Sequence, residues 1–130
     1  MKLRIRGDSI RFRLGRSEVQ TLLRVGILQE ATHFPGPLRP ALTYELRESD
    51  GTQLTCEFQD CRVVARVPRE IIHSWATSEQ VSIRGAQSLD ADGTSQLKIL
   101  LEKDFECLDG SSEDCQDDAY PNPRRAISAG

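Results

Sequence analysis

"KLRIRGDSIRFRLGRSEVQTLLRVG", residues 2–26, changes its hydrophobic period half-way along. Leu3 and Ile5, then Ile10, Phe12 and Leu14, alternate with Lys2, Arg4, Arg6, Arg11 and Arg13, which is the period of two that a half-buried strand needs. "GDS" separates the two alternating runs and predicts a β-hairpin. Beyond Gly15 the apolar residues fall instead at Val19, Leu22 and Leu23. With Ser17 as a candidate N-cap and Gly26 as a terminator, that spacing predicts a short amphipathic helix.

Working outward, "ILQEATH" and "LTYELRE" read as two further strands on either side of the Pro-rich loop "FPGPLRP". The order then recurs. "LTCEF" and "RVVARV" flank a turn at Asp60, and "PREIIHSWAT" reads as a helix with Pro68 near its start and Ile71, Ile72 and Trp75 inward. "EQVSIRGAQSL" and "SQLKILLEKDF" form a last hairpin around "DADGT". The pattern predicts an α+β fold of about eight mainly antiparallel strands and two helices, built from a duplicated strand–strand–helix–strand–strand unit. Residues 1–105 form one domain with halves 1–50 and 53–104, followed by an acidic tail, 106–130. Eight such strands can close into a barrel-like sheet, which removes exposed edges. An open curved sheet with both helices on one face is the alternative. Either way Phe12 and Trp75 belong in the core.

The net charge of −3 conceals an asymmetry, because residues 1–66 carry +3 and residues 67–130 carry −6. Fourteen of the seventeen basic residues are arginine, whose planar fork grips phosphate and carboxylate oxygens in pairs. Aromatics make up 5% of the chain, which counts against a stacking platform for single-stranded nucleic acid. No apolar run is long enough to cross a membrane and no secretory leader is evident, so the expected location is cytoplasmic. Cys56, Cys61, Cys107 and Cys115 lack the spacing of a zinc knuckle, and His33 and His73 do not complete one. No nucleophile elbow, phosphate loop or metalloprotease motif occurs. Nothing in the sequence identifies an enzyme or a catalytic residue.

Alternation sorts the strand residues into an apolar face and a charged one. The charged face collects Arg4, Arg6, Arg11, Arg13, Arg62, Arg66, Arg84 and Lys98 as candidate anion-binding residues, with Glu45, Glu57 and Glu102 as their nearest acidic company. On an open sheet these residues form a solvated face. In a closed barrel with its helices outside they line a polar tunnel, where the arginines would hold a polyphosphate and Glu45, Glu57 and Glu102 a Mg²⁺ ion. Period two is the same in both cases.

The duplicated order, outer helices and charged interior resemble, at the level of fold, the triphosphate tunnel or CYTH-like enzymes. Those enzymes place Glu-x-Glu-x-Lys on the first strand, where this chain reads "KLRIR". That departure leaves anion binding and removes the basis for the family's hydrolysis. A closer resemblance runs through "KLRIRGDSIRFRL", "ATHFPG", "LTYEL", "LLEKDFECLD" and "EDCQDDAYPNP", which together are similar to an uncharacterised family of small bacterial proteins. It implies a self-contained small protein and no particular activity.

Two functions remain open. One is a binding module that offers its charged sheet face or its acidic tail to a protein partner. The other is a binder of phosphate-rich anions, polyphosphate or nucleotide, or a metal-assisted phosphohydrolase. In the tail, residues 106–123 carry six acidic residues and no basic one, and "YPNP" gives a rigid apolar element able to dock back on the domain.

Overall fold

The computed structural model describes residues 1–105 and Tyr120. It is an α+β structure of eight mainly antiparallel strands and two helices. The order is β1 (Lys2–Arg6), β2 (Ser9–Leu14), α1 (Arg16–Val25), β3 (Ile27–His33), β4 (Ala41–Ser49), β5 (Thr55–Gln59), β6 (Arg62–Pro68), α2 (Arg69–Ala76), β7 (Ser82–Ser88) and β8 (Gln96–Lys103).

The strands do not close into a barrel. They form two open four-stranded sheets, β1-β2-β8-β7 and β3-β4-β6-β5, here called sheets A and B. Exchanging β1, β2, β3 and β4 for β5, β6, β7 and β8 turns the order of one sheet into that of the other. Each helix carries the chain from one sheet to the other, so the middle of sheet A joins strands from the two ends of the described chain, while in sheet B β4 pairs with β6 and β5 takes the outer place. These central pairs, β2 with β8 and β4 with β6, are parallel, while the outer pairs are antiparallel hairpins. Equivalent bonds lock both crossings: Lys98 N–H donates to Asp8 O at 2.9 Å, and Thr43 N–H to Cys61 O at 3.0 Å.

At one junction between the sheets, β5 of sheet B meets β7 of sheet A without pairing. Leu54 crowds Gly85 so closely that a Cβ there would sit 2.9 Å from the leucine side chain. The Cys56 N–H donates to the Gln87 side chain at 2.9 Å. A side chain thus takes the place of a ladder, and the two sheets remain separate.

The helices do not lie outside a polar tunnel. Ile10, Phe12 and Leu14 of β2, Leu46 of β4, Val63, Ala65 and Val67 of β6, and Ile99 and Leu101 of β8 join Val19 and Leu22 of α1 and Ile72 and Trp75 of α2 in one apolar core. Both sheets therefore turn their apolar faces inward, and the charged faces point outward into solvent. The strand patterns dictate this, because burying the arginines instead would strip many cations of water with few partners.

Local details differ from the expectation in three places. Gly15, not Ser17, is the N-cap of α1, because Glu18 in the first turn accepts the Gly15 N–H at 2.9 Å. Gly26 ends that helix as expected, in the left-handed region at φ 86°. Ile5 and Phe58, near the hairpin ends of edge strands β1 and β5, are 60% and 69% exposed despite their apolar parity. At an edge and beside a turn, no neighbouring strand covers them.

Beyond β8 the chain returns to the domain at Tyr120, whose N–H donates to Asp104 O at 2.6 Å. The Tyr120 ring meets Phe105 edge-on at 6.0 Å. The buried Lys103 ammonium lies 5.7 Å from the Trp75 ring and 5.3 Å from that of Tyr120, and donates to Ser78 O at 2.7 Å. Apart from Tyr120, the acidic tail, 106–130, which the sequence offers to a protein partner, lies outside the described residues.

Candidate anion-binding face

Register places the charged residues of sheet A in three rows across β1, β2, β8 and β7. They are Lys2, Arg13, Glu102, Ser82; then Arg4, Arg11, Leu100, Arg84; then Arg6, Ser9, Lys98, Ala86. Residues opposite each other in register share a face, so this grid holds seven cations and one carboxylate. Glu102 accepts from Arg13 Nε at 2.6 Å and lies 3.6 Å from Arg11. Lys2 reaches Asp104 at 3.0 Å. Arg4, Arg6, Arg84 and Lys98 have no ion pair or side-chain hydrogen bond among the described residues. Arg4 and Arg11 stand directly opposite, an unfavourable like-charge pair. The small Ser9 and Ala86 leave a shallow depression of about 620 Å³, with Arg11, Arg84 and Lys98 at its rim.

Sheet B offers a control in the same fold. Its equivalent rows are Thr55, Arg66, Arg47, Ile27; then Glu57, Val64, Glu45, Gln29; then Gln59, Arg62, Thr43, Ala31. Glu57 takes the place of Arg4, and Glu45 that of Leu100. Glu45 is buried and accepts from Arg47 Nε and Arg62 at 3.0 Å each. Arg66 is paired with Glu57. Every arginine of this face has its carboxylate, and the cleft of about 300 Å³ between them is lined by these ion-paired groups together with Gln59, Asp60 and Val64.

The eight candidate residues are thus divided. Arg4, Arg6, Arg11, Arg13, Arg84 and Lys98 come together on sheet A, whereas Arg62 and Arg66 lie on sheet B. Glu45 and Glu57 are on sheet B and Glu102 on sheet A, so the three do not converge on one ion. Among the described residues no group of three His, Cys, Asp or Glu side chains is placed to hold a metal. Glu30 belongs to the inner parity, opposite Tyr44, whose hydroxyl donates to it at 3.0 Å. With Glu18 it holds the buried Met1 ammonium, 3.0 Å away. Burial opposes that charge, but the hydrogen bonds and charges of both carboxylates outweigh it and raise the amine above its usual 8.0.

The cleft of about 400 Å³ between the β4–β5 loop and α2 is no rival anion site. Its cation, Arg69, is shared by Glu48 at 3.3 Å and Asp50 at 3.6 Å. The cysteines differ in reach: Cys61 is exposed, while burial raises the Cys56 thiol to about 11. In the native protein at pH 8, iodoacetamide should therefore label Cys61 and spare Cys56 until denaturant is added. Peptide mapping reads this out, and native labelling of Cys56 would refute its burial.

A profile of a family of unknown function (DUF7009) matches residues 1–124. The chain belongs to that family. Membership accounts for the resemblance running from the "KLRIR" strand to "YPNP", and it brings no activity with it. No curated protein and no solved structure matches the chain. The likeness to the triphosphate tunnel enzymes finds no support. Within this DUF7009 chain the closed polar tunnel on which that likeness rested is replaced by two open sheets over an apolar core. No helix among the described residues is long and apolar enough to span a membrane.

Proposed function

We propose that the protein is a binding module that holds an acidic protein partner on the outer face of sheet A. The observation that supports this reading is the contrast between the two faces. The same twelve positions are charge-compensated on sheet B and carry an excess of unpaired cations on sheet A. Folding gains nothing from that excess, since like charges 4 Å apart repel by about 1 kcal/mol even in water. An acidic partner relieves the repulsion and gains bidentate contacts to arginine. A flat, open sheet suits a macromolecular surface better than a small ligand, which binds in a concave site. Residues 1–105, with halves 1–50 and 53–104, act in this reading as one unit, and Arg4, Arg6, Arg11, Arg13, Arg84 and Lys98 are the contact residues.

Fluorescently labelled polyglutamate tests the proposal. It should bind with an affinity that falls steeply with salt, as screening acts on exposed charge. Arg84→Glu with Lys98→Glu should weaken binding at least tenfold, whereas Arg66→Glu on sheet B should leave it within about twofold. Failure to bind polyglutamate, or equal losses from both faces, overturns the proposal. Binding of inorganic polyphosphate alone would also overturn it, in favour of a phosphate-rich ligand.

A further inference from the structure

We infer that the open edge of β1 takes up an extended segment of the partner, alternating acidic and apolar residues, as a fifth strand of sheet A. This rests on the proposed binding role of the sheet A face and names the shape of what binds there.

β1 is an edge strand, hydrogen-bonded to β2 on one side only. Its two-residue turn, Gly7–Asp8, is closed by the pair Arg6 and Ser9. The closing pair of such a hairpin exchanges hydrogen bonds, and bonded pairs alternate with non-bonded ones. Arg6, Arg4 and Lys2 therefore bond to β2, and the backbone groups of Ile5 and Leu3 point out to the open edge. The equivalent strand of sheet B supports this assignment. There Cys56, in the place of Leu3, sends its N–H away from β6 to the Gln87 side chain at 2.9 Å. No described residue gives Leu3 or Ile5 such a partner. The β5 edge is capped by a side chain of the protein, whereas along β1 only the chain start is held, by Met1 on Glu30 of β3, and the backbone groups of Leu3 and Ile5 are open among the described residues.

The side chains flanking the open edge specify the chemistry. Arg4 and Arg6 project to the cationic face, both exposed and without counter-ions among the described residues, while Ile5, 60% exposed, projects to the other. A strand laid along β1 has the same period of two. Its acidic positions meet Arg4 and Arg6, and its apolar positions cover Ile5. A second copy of this chain is a poor occupant, because an antiparallel pairing of two β1 edges sets Arg4 and Arg6 against their own copies. Charge on an edge strand discourages such self-association. The same charge admits an acidic strand.

The test uses three labelled hexapeptides of three Glu and three Val: one alternating, one with the two residue types in separate blocks, and one alternating with N-methyl groups on every second amide. The full chain is titrated with each at low salt. The alternating peptide should bind at least tenfold tighter than the other two. Ile5→Pro removes the outward N–H without breaking a bond to β2 and shrinks the apolar side chain, so it should abolish that preference while leaving the weaker binding of the block peptide unchanged. Its melting curve reports whether the fold persists, and the N-methylated peptide tests the same bond without altering the protein. Equal binding of all three peptides overturns the edge inference. So does a dimer of the free protein that Ile5→Pro dissociates, since the occupant would then be a second copy. If binding of long polyglutamate still depends on Arg84 and Lys98, only the edge inference is lost. If polyglutamate does not bind at all, both readings fall.

Discussion

Trp75→Ala should destabilise the protein by about 3–5 kcal/mol, as truncation of a large core aromatic does. Trp75 on α2 is fully buried and shares one core with both helices and both sheets. Its indole N–H donates to Val81 O at 3.0 Å, pinning the end of the helix to the start of β7. Alanine leaves a cavity, removes one of the two bonds to Val81 O, which keeps that from the Lys103 N–H at 3.0 Å, and takes the indole from one side of the Lys103 ammonium. Phe12→Ala, on β2 between Leu3 and Leu101 in register, should cost a similar amount, because Phe12 is equally buried. Urea unfolding of each variant against the parent measures both losses. A loss below about 1 kcal/mol at either position would mean that the sheets do not share this core.

Replacing Arg47 and Arg62 together by alanine should cost about 2–3 kcal/mol, although both side chains are half-exposed. The cost arises in Glu45, which is 1% exposed and whose two carboxylate oxygens are each satisfied by one of these arginines. Losing both partners leaves a buried charge without compensation. The arginines themselves keep much of their hydration, which holds the loss toward the lower end of the range for buried pairs. Removing the carboxylate should matter less. Glu45→Leu puts at this position the residue that sheet A carries at the equivalent Leu100, and should change stability by less than about 1 kcal/mol. Urea titration at pH 7 separates these outcomes. If Glu45→Leu is the more damaging change, the network contributes net stability rather than satisfying a buried charge.

The parts of the fold legible in the sequence are those fixed over a few residues. The alternation of Leu3, Ile5, Ile10, Phe12 and Leu14 placed β1 and β2, and Val19, Leu22, Ile72 and Trp75 marked the inward sides of both helices. Gly26 marked a helix end because its left-handed backbone is read directly from residue type. The N-cap was harder to read, since Ser17 offers a conventional cap while Glu18, reaching back to Gly15, sets the actual start. Ile5 and Phe58 matched the inward parity but stayed exposed, because burial also requires a neighbour, and an edge position beside a turn has none.

By itself the sequence determined which residues of each strand face the same way, and hence that a charged face exists, since the period of two is a property of one strand. Only the tertiary structure decided which strands share a sheet. The parallel pairing of β2 with β8 depends on the two passages through the helices, that of β4 with β6 on β5 taking the outer place in its sheet, and no local pattern encodes either. The first pairing brings Arg84 and Lys98 to the arginines of the first hairpin and the second brings Arg62 to Glu45, whereas Arg66 meets Glu57 within the β5–β6 hairpin. Whether a cation is free or neutralised depends on distance through space, so two strands with similar charge patterns ended as one satisfied face and one unsatisfied face.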